Sequence, residues 1–223
     1  NITEPVVDIL DYGADPEGHT SSVQAFRDAM DALPEEGGVV YLPEGTYRFD
    51  KGIEINRDHV VLRGAGMNET RLLFDTKDDC IRVITYERGN WQDLAGGYQQ
   101  GSNVLTTYGT PDMNAGKFAE IQQDNDSSIM YTDSLWNQPW SKHSVGQMVE
   151  VENVNSKDIS LKMSLNLTYD AELNPQIRSL GLVEYVGIED LYIKKLKAGN
   201  SNSILFKNTA YCWTQNIESD HTY

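Results

Sequence analysis

The sequence predicts an all-β fold in which short strands stack as successive turns of one coil, with an α-helix at its start and a β-rich insertion. Three observations indicate this fold. An amphipathic helix over residues 20–33 is followed directly by an apolar strand. Short strands separated by turn residues then recur at close intervals. Near the end of the chain, residues 187–191 and 214–218 repeat one pattern at a shift of roughly 26–27 residues, within the range of stacked repeats.

The first elements are a short strand and the helix. Residues 6–10 are apolar and predict the strand. Thr20 or Ser21 then supplies a hydroxyl for the helix N-cap, and apolar residues follow at helical spacing. Pro34 and the pair Gly37–Gly38 end the helix. We expect its apolar face to cover the first turn of the coil.

Strand patterns divide the chain into three segments. Residues 1–85 form the N-terminal cap and the first turns, or rungs, of the coil. Residues 86–180 form the insertion, where period-2 strands joined by links of varied length indicate antiparallel pairing. Residues 181–223 resume the rungs. Strands are predicted at residues 39–42, 45–49, 60–64, 70–74, 80–84, 186–193, 203–208 and 210–219 of the coil, and at 102–105, 118–121, 146–151 and 159–162 of the insertion.

Asparagines are expected at the corners of the coil. Asn200, Asn202, Asn208 and Asn216 follow or interrupt the late strands. Asparagine tolerates the left-handed backbone conformation that a sharp corner needs. Its side-chain amide is then expected to bond to the rung above.

The charge balance limits the classes of partner. The chain has 34 acidic and 18 basic residues, for a net charge of -16. Such a surface repels phosphate backbones and anionic lipids, so neither nucleic-acid nor membrane binding is expected. It also repels uronate polymers at long range, so a site for one needs a local Lys/Arg cluster or bound Ca²⁺. The two cysteines, Cys80 and Cys212, are expected to be buried thiols without a disulfide.

Four segments carry a resemblance to a known superfamily. They are Asp11–Ala14, the helix at 20–33, Gly37–Tyr47 with its Val-Val-Tyr-Leu-Pro-Glu-Gly-Thr-Tyr run, and Val61–Gly66. Together they resemble the opening module of the pectate-lyase superfamily, which includes polygalacturonases, polysaccharide lyases, alginate epimerases and phage tailspikes. The Gly-His-Gly turn of the polygalacturonase type is absent from the sequence.

The resemblance covers residues 6–84 and 183–223. It implies a right-handed parallel β-helix with an N-terminal capping α-helix and a small β-rich insertion, and a polysaccharide partner. Because no capping segment follows the last predicted strand, we expect the chain to be the N-terminal portion of a longer β-helix. Further rungs or a second polypeptide would complete the stack, and catalytic residues are expected beyond Tyr223.

The candidate catalytic residues are Asp220, His221 and Tyr223. Here a carboxylate, an imidazole and a phenol lie together near a strand end. A lyase needs a base that removes the proton next to a carboxyl group, an acid for the leaving oxygen and a cation for the developing charge. The alternative is a polar corner turn without catalytic function.

The candidate substrate-binding residues are Lys194, Lys195 and Trp213. The lysines belong to the one basic cluster of an acidic chain, and the indole offers a face on which a pyranose can stack. The alternatives are a solvated loop for the lysines and ordinary packing for the tryptophan. The acidic runs at 75–79 and 124–126 lack EF-hand spacing, so no metal-binding residues are predicted there, and bound Ca²⁺ is retained as an alternative cofactor for an acidic substrate.

The sequence therefore favours a carbohydrate-active enzyme, secreted or periplasmic, that is a polysaccharide lyase or glycoside hydrolase acting on an acidic polysaccharide. The alternative is a non-catalytic glycan-binding β-helix module of the tailspike or adhesin type.

Overall fold

The computed structural model describes residues 2–130, 135 and 139–220, which form two compact units. Residues up to 85 and from 182 onward form the first unit, and residues 86–181 form the second. The strands in chain order are β1 (Val6–Asp8), β2 (Gly38–Leu42), β3 (Gly45–Phe49), β4 (Ile53–Ile55), β5 (Val60–Gly64), β6 (Thr70–Phe74), β7 (Ile81–Ile84), β8 (Gln92–Gly96), β9 (Val104–Thr107), β10 (Phe118–Gln123), β11 (Val145–Asn155), β12 (Asp158–Leu161), β13 (Gln176–Leu180), β14 (Val183–Glu184), β15 (Gly187–Lys195), β16 (Ile204–Lys207), β17 (Thr209–Ala210) and β18 (Trp213–Asp220).

The first unit confirms the predicted right-handed parallel β-helix. Strands β1, β2 and β5 and the first half of β15 pair in parallel, and so do β3, β6 and the second half of β15. Strand β18 pairs with β15 along its length, and β4, β7 and β16 form a third parallel sheet. Each rung therefore repeats the strand positions of the rung before it.

The interior of the coil consists of columns of apolar side chains in register. Val40, Leu62 and Ile188 occupy one such column. In another column, Phe49 and Phe74 stack with ring centroids 5.0 Å apart. Burial of these side chains supplies the main stabilising term, because strands alternate and every second residue faces inward.

The predicted capping helix is confirmed, with a later start. Helix α1 (Val23–Ala32) has Ser22 as its N-cap rather than Thr20 or Ser21. Thr20 instead binds the Asp15 carboxylate through its backbone N–H and hydroxyl, and the hydroxyl of Ser21 donates to Asp50. The first strand also ends early, at Asp8, because residues 9–12 form a 3₁₀ helix. Neither change moves the apolar face of α1 away from the core.

The corners of the coil agree with the prediction at two of four asparagines. Asn208 and Asn216 have positive φ, whereas Asn200 and Asn202 do not. The Asn216 amide donates to the Asp190 carboxylate at 2.7 Å, and Asp190 also has positive φ. This bond runs to the preceding rung, whereas the prediction was a bond to the following rung.

The second unit is a closed antiparallel barrel of strand order β10-β11-β12-β9-β8-β13. Antiparallel pairing was predicted and is confirmed by the register, in which Phe118 faces both Glu150 and Leu180. Strands β8 and β13 were not predicted. Leu105, Ile121 and Ile159 belong to its separate apolar core.

Alkaline pH is expected to destabilise the coil. Burial raises the pKa of Cys80 to about 12 from 9.0, and that of Tyr47 to about 12 from 10.0. At a pH between the ordinary and the raised pKa of either group, that group has lost its proton in the unfolded chain and retains it in the folded chain. The free energy of unfolding should therefore fall from about pH 9 upward, by up to about 1.4 kcal/mol per pH unit for each acid.

Urea titrations at about pH 8, 10 and 11 measure this decline. In Cys80→Ala the decline should be shallower from about pH 9 upward, because the Cys80 thiol no longer contributes to it. A wild-type stability that stays constant to about pH 11 would contradict the prediction.

Candidate functional site

The outer face of β6, β15 and β18 brings together four polar side chains, which we name the outer-face cluster: Arg71, Tyr192, Lys194 and Asp220. Register places Tyr192 beside Arg71, and Lys194 beside Asp220. Because Ile193 faces the core, its neighbours on β15 face outward. The cluster therefore arises from the alternation of β15 and its two parallel partners.

The contacts within the cluster centre on the Tyr192 phenol. Its hydroxyl donates to Asp220 Oδ2 at 2.9 Å. Lys194 Nζ lies 3.2 Å from the same oxygen. The Arg71 guanidinium carbon lies 4.0 Å from the centroid of the Tyr192 ring. The phenol is thus held between a guanidinium group and a carboxylate.

The electrostatics of the cluster keep Tyr192 protonated. Burial raises the pKa of Tyr192, and the hydrogen bond to Asp220 and its negative charge raise it further, against the opposing charges of Lys194 and Arg71. Tyr192 is 5% exposed, whereas the side chains of Lys194 and Asp220 are 32% and 41% exposed. The phenol is therefore a proton donor at neutral pH beside a reachable ammonium and a reachable carboxylate.

Two more cations border the cluster. Asp75, directly after β6, binds Arg48 at 2.5 Å and Lys197 at 2.8 Å. The hydrogen bonds from Lys197 and Arg48 lower the pKa of Asp75, so that carboxylate stays ionised. Cationic side chains are therefore concentrated at this face of a chain whose net charge is -16.

A second group lies on the outer face at the other half of β15. Glu189 is 4% exposed, and its two oxygens accept from Arg63 Nε at 2.8 Å and from Trp213 Nε1 at 2.6 Å. Arg63 also donates to the Ile2 carbonyl at 3.0 Å. These contacts join β5, β15 and β18 across three rungs.

The structure brings together two of the predicted site residues. Asp220 and Lys194 form an ion pair, whereas Trp213 lies at the start of β18, on the other side of the corner at Asn216. His221 and Tyr223 lie outside the described residues.

Lys195 requires a correction, because it does not face a substrate. It follows Lys194 on β15, so alternation turns it inward, above Phe74, where it is 1% exposed. Its ammonium donates to the Asp78 carbonyl at 3.3 Å and to the Ser201 hydroxyl. This lysine therefore anchors two neighbouring turns of the coil.

Sequence reasoning missed Arg71, Tyr192, Glu189 and Arg63. The predicted repeat set Gly187 beside Thr214, one residue away from the observed register, in which Gly187 pairs with Trp213 and Lys194 with Asp220. Arg71 and Arg63 gave no such signal, because the barrel separates them in sequence from β15. The pairing of β5 and β6 with β15 is visible only in three dimensions.

Calcium does not fit the outer-face cluster. Asp75 and Asp220 are each bound to cationic side chains. Over the described part of the chain, no three His, Cys, Asp or Glu side chains are grouped so that they could hold a metal ion. Neither cysteine forms a disulfide. No helix among the described residues is long and apolar enough to cross a bilayer.

The barrel contains a recess of about 550 Å³ lined by Tyr98, Asp126, Tyr169 and Asp170 among others. Its carboxylates serve the local loops, since Asp126 accepts from Ser128 and Asp170 caps a 3₁₀ helix. The Tyr169 hydroxyl is sealed from solvent, and burial raises the pKa of Tyr169 to about 12. The outer-face cluster is therefore the better candidate site.

The model of the rhamnogalacturonase A/epimerase, pectate lyase-like family matches residues 6–220. Alginate lyase 7 of Azotobacter vinelandii is 40% identical over 84 residues, which are 34% of this chain and 10% of that protein.

Several phage tailspikes share the fold. Tailspike gp61 of Pseudomonas phage phi297 superposes with a TM-score of 0.73 at 15% identity, over 98% of this chain and 39% of that one. The Gp54 tailspike of Acinetobacter baumannii bacteriophage AP22, solved in complex with an A. baumannii capsular saccharide, gives 0.62 at 12% identity over 95% and 36%. The chain thus spans a tenth of its curated relative and less than half of each tailspike.

Proposed function

The chain belongs to the rhamnogalacturonase A/epimerase, pectate lyase-like family, and from that premise we propose that its outer-face cluster binds and cleaves an acidic polysaccharide. An extracellular or periplasmic location belongs to the same proposal. The cluster offers the groups that such a polymer requires, namely reachable cations, a carboxylate and a protonated phenol.

The local concentration of cations carries the proposal. A uronate polymer is repelled by most of this surface, because the chain has a net charge of -16. Arg71 pairs with Tyr192 across β6 and β15, and Lys194 lies two residues further along β15, with Lys197 and Arg48 beyond them. An anionic sugar bound here would meet favourable Coulomb interactions at contact distance. The site therefore selects for substrate charge.

The chemistry that fits these groups best is β-elimination. The Asp220 carboxylate removes the proton on the carbon next to the uronate carboxyl group. The electrons of that C–H bond form a C=C bond, and the bond from the neighbouring carbon to the glycosidic oxygen breaks. The Tyr192 phenol gives its proton to the leaving oxygen, while Lys194 and Arg71 offset the charge on the uronate carboxyl.

The hydrogen bond between the two catalytic groups closes the cycle. The proton taken by Asp220 returns to the tyrosinate across the 2.9 Å contact. Both groups regain their starting state, and no further acid or base is consumed.

Glycoside hydrolysis is the alternative chemistry. Glu218 lies two residues before Asp220 on β18, is exposed and pairs with Tyr192. Two carboxylates on one strand face stand about 7 Å apart at their Cα atoms. Hydrolases need such a pair across the scissile bond. A lyase product absorbs ultraviolet light through its new C=C bond, whereas a hydrolase product does not.

A non-catalytic glycan-binding module is the second candidate function. It is favoured by the shared fold with tailspikes, one of them solved in complex with a capsular saccharide. It predicts binding without any product.

The test uses a panel of uronate polymers and neutral controls. We expect Lys194→Met and Arg71→Met each to weaken uronate binding about tenfold, the loss of roughly 1.4 kcal/mol. Lys207→Met removes the same charge from the exposed end of β16, on another sheet, and should change affinity less than about twofold. Affinity gel electrophoresis measures binding, and ultraviolet absorbance together with reducing-end assays measures cleavage.

Three outcomes are informative. Ultraviolet-absorbing product supports the lyase, and reducing ends without that absorbance support the hydrolase. Binding that responds to Lys194 without any product supports the binding module. Equal effects of the Lys194 and Lys207 substitutions would overturn the assignment of this face.

A further inference from the structure

We propose that the Trp213 indole is a preformed stacking platform for a pyranose ring, and that Glu189 is the positioning residue that fixes it. This inference rests on the proposed function, because it adds a second contact to the same polysaccharide. It concerns the half of β15 that precedes the outer-face cluster.

The indole lies flat against the sheet. A Cβ atom added to Gly187 would lie 2.4 Å from Trp213 Cε2, 2.5 Å from Cζ2 and 2.7 Å from Nε1. If this Cβ position lay in the plane of the indole, it would be closer to Cζ2 and Nε1 than to Cε2. It is instead closest to Cε2, so it lies to one side of the ring plane. The glycine therefore sits under the ring face. The opposite face of the ring is directed away from the sheet.

A buried carboxylate fixes the ring in this orientation. Trp213 Nε1 donates to Glu189 Oε1 at 2.6 Å, and Arg63 Nε holds the other oxygen at 2.8 Å. Glu189 is 4% exposed, so solvent does not compete well for this bond. An aromatic ring held in place loses little conformational entropy on binding, and its face suits the C–H side of a pyranose.

The platform and the outer-face cluster share one strand. Trp213 covers Gly187, and Tyr192 lies five residues further along β15, beyond the corner at Asp190 and at most about 17 Å away. A monosaccharide cannot contact both places, whereas an oligosaccharide can. The expected ligand is thus a chain in which one sugar stacks on the indole while a charged sugar meets Lys194 and Arg71. Stacking is independent of salt, and the ionic contact is not.

The experiment separates the two contacts by their salt dependence. Trp213→Ala should weaken oligouronate binding about tenfold at every salt concentration, and Trp213→Phe less than that. Gly187→Ala keeps the indole but forces it off the sheet, so it should reproduce most of the loss. Gln215→Ala, at an exposed position two residues along β18, is the matched control and should have no effect.

Glu189 has its own diagnostic. Glu189→Gln retains an oxygen that accepts from the indole N–H, so it should keep more affinity than Glu189→Ala. Ultraviolet difference spectra of the indole should shift on ligand binding in the wild type and not in Gly187→Ala.

Two results overturn the inference. Full affinity in both Trp213→Ala and Gly187→Ala, with the folded state verified by circular dichroism, removes the platform. A loss that disappears in high salt assigns the effect to the ionic contact instead. If Lys194→Met has no effect while Trp213→Ala does, the platform stands and the acidic-substrate proposal fails. The two proposals are therefore tested separately.

Discussion

Replacing Asp220 by asparagine is expected to lower the rate of polysaccharide cleavage about 100-fold or more. The amide retains the shape of the side chain and can still accept from the Tyr192 hydroxyl, whose present bond is 2.9 Å long. It cannot take a proton from carbon. Affinity should not fall, because the substitution removes the carboxylate that partly neutralises Lys194. Initial rates at saturating polymer, followed by product absorbance, measure the effect.

Glu218→Gln is the matched comparison on the same strand. In the lyase mechanism it should leave the rate within about threefold, because Glu218 has no proton to move. In the hydrolase mechanism both substitutions should be equally damaging. An Asp220→Asn protein that turns over at the wild-type rate would remove Asp220 from the catalytic groups.

Phe74→Ala is expected to destabilise the coil by about 3–5 kcal/mol. Phe74 is fully buried and stacks on Phe49 with a centroid distance of 5.0 Å. The rung above places Lys195 over the same column. Truncation would leave a cavity between a ring and the stem of a lysine, and neither can collapse into it while the rungs stay hydrogen-bonded. Chemical denaturation gives the free energy of unfolding.

Leu73→Ala is the control for this effect. Leu73 precedes Phe74 on β6, points outward and is half-buried. Its truncation should cost less than about 1.5 kcal/mol, since it leaves no enclosed cavity. Equal costs for the two substitutions would contradict the inward and outward assignment of β6.

Much of the coil was predictable because its signals are local. Strands β2 and β5 are short apolar runs, strands β3 and β6 have alternating side chains, and all four are flanked by turn residues; the helix has a clear apolar face. Strand β4 was missed because three residues carry too little pattern. Strand β13 was missed because its polar residues resemble a loop and only barrel closure explains them.

The site was less predictable, since it depends on long-range register. Asp220 was identified as a carboxylate near a strand end and Lys194 as part of a basic cluster, but the two were not identified as a pair. Lys195 was assigned to the wrong face, because the local sequence shows a basic cluster and not the Ser201 hydroxyl and Asp78 carbonyl that accept hydrogen bonds from its ammonium. The partners Arg63 and Glu189 are 126 residues apart. No local pattern connects them.

The two consecutive lysines of β15 have a consequence for how the strand is aligned during folding. Slippage by one residue would put Lys194 inside, remote from Asp220, and would expose Lys195 while stranding the acceptors at Asp78 and Ser201. A one-residue shift in either direction would therefore break the contacts of both lysines at once. The Lys194–Lys195 pair therefore helps to specify the register of β15 in the sheet that carries the outer-face cluster.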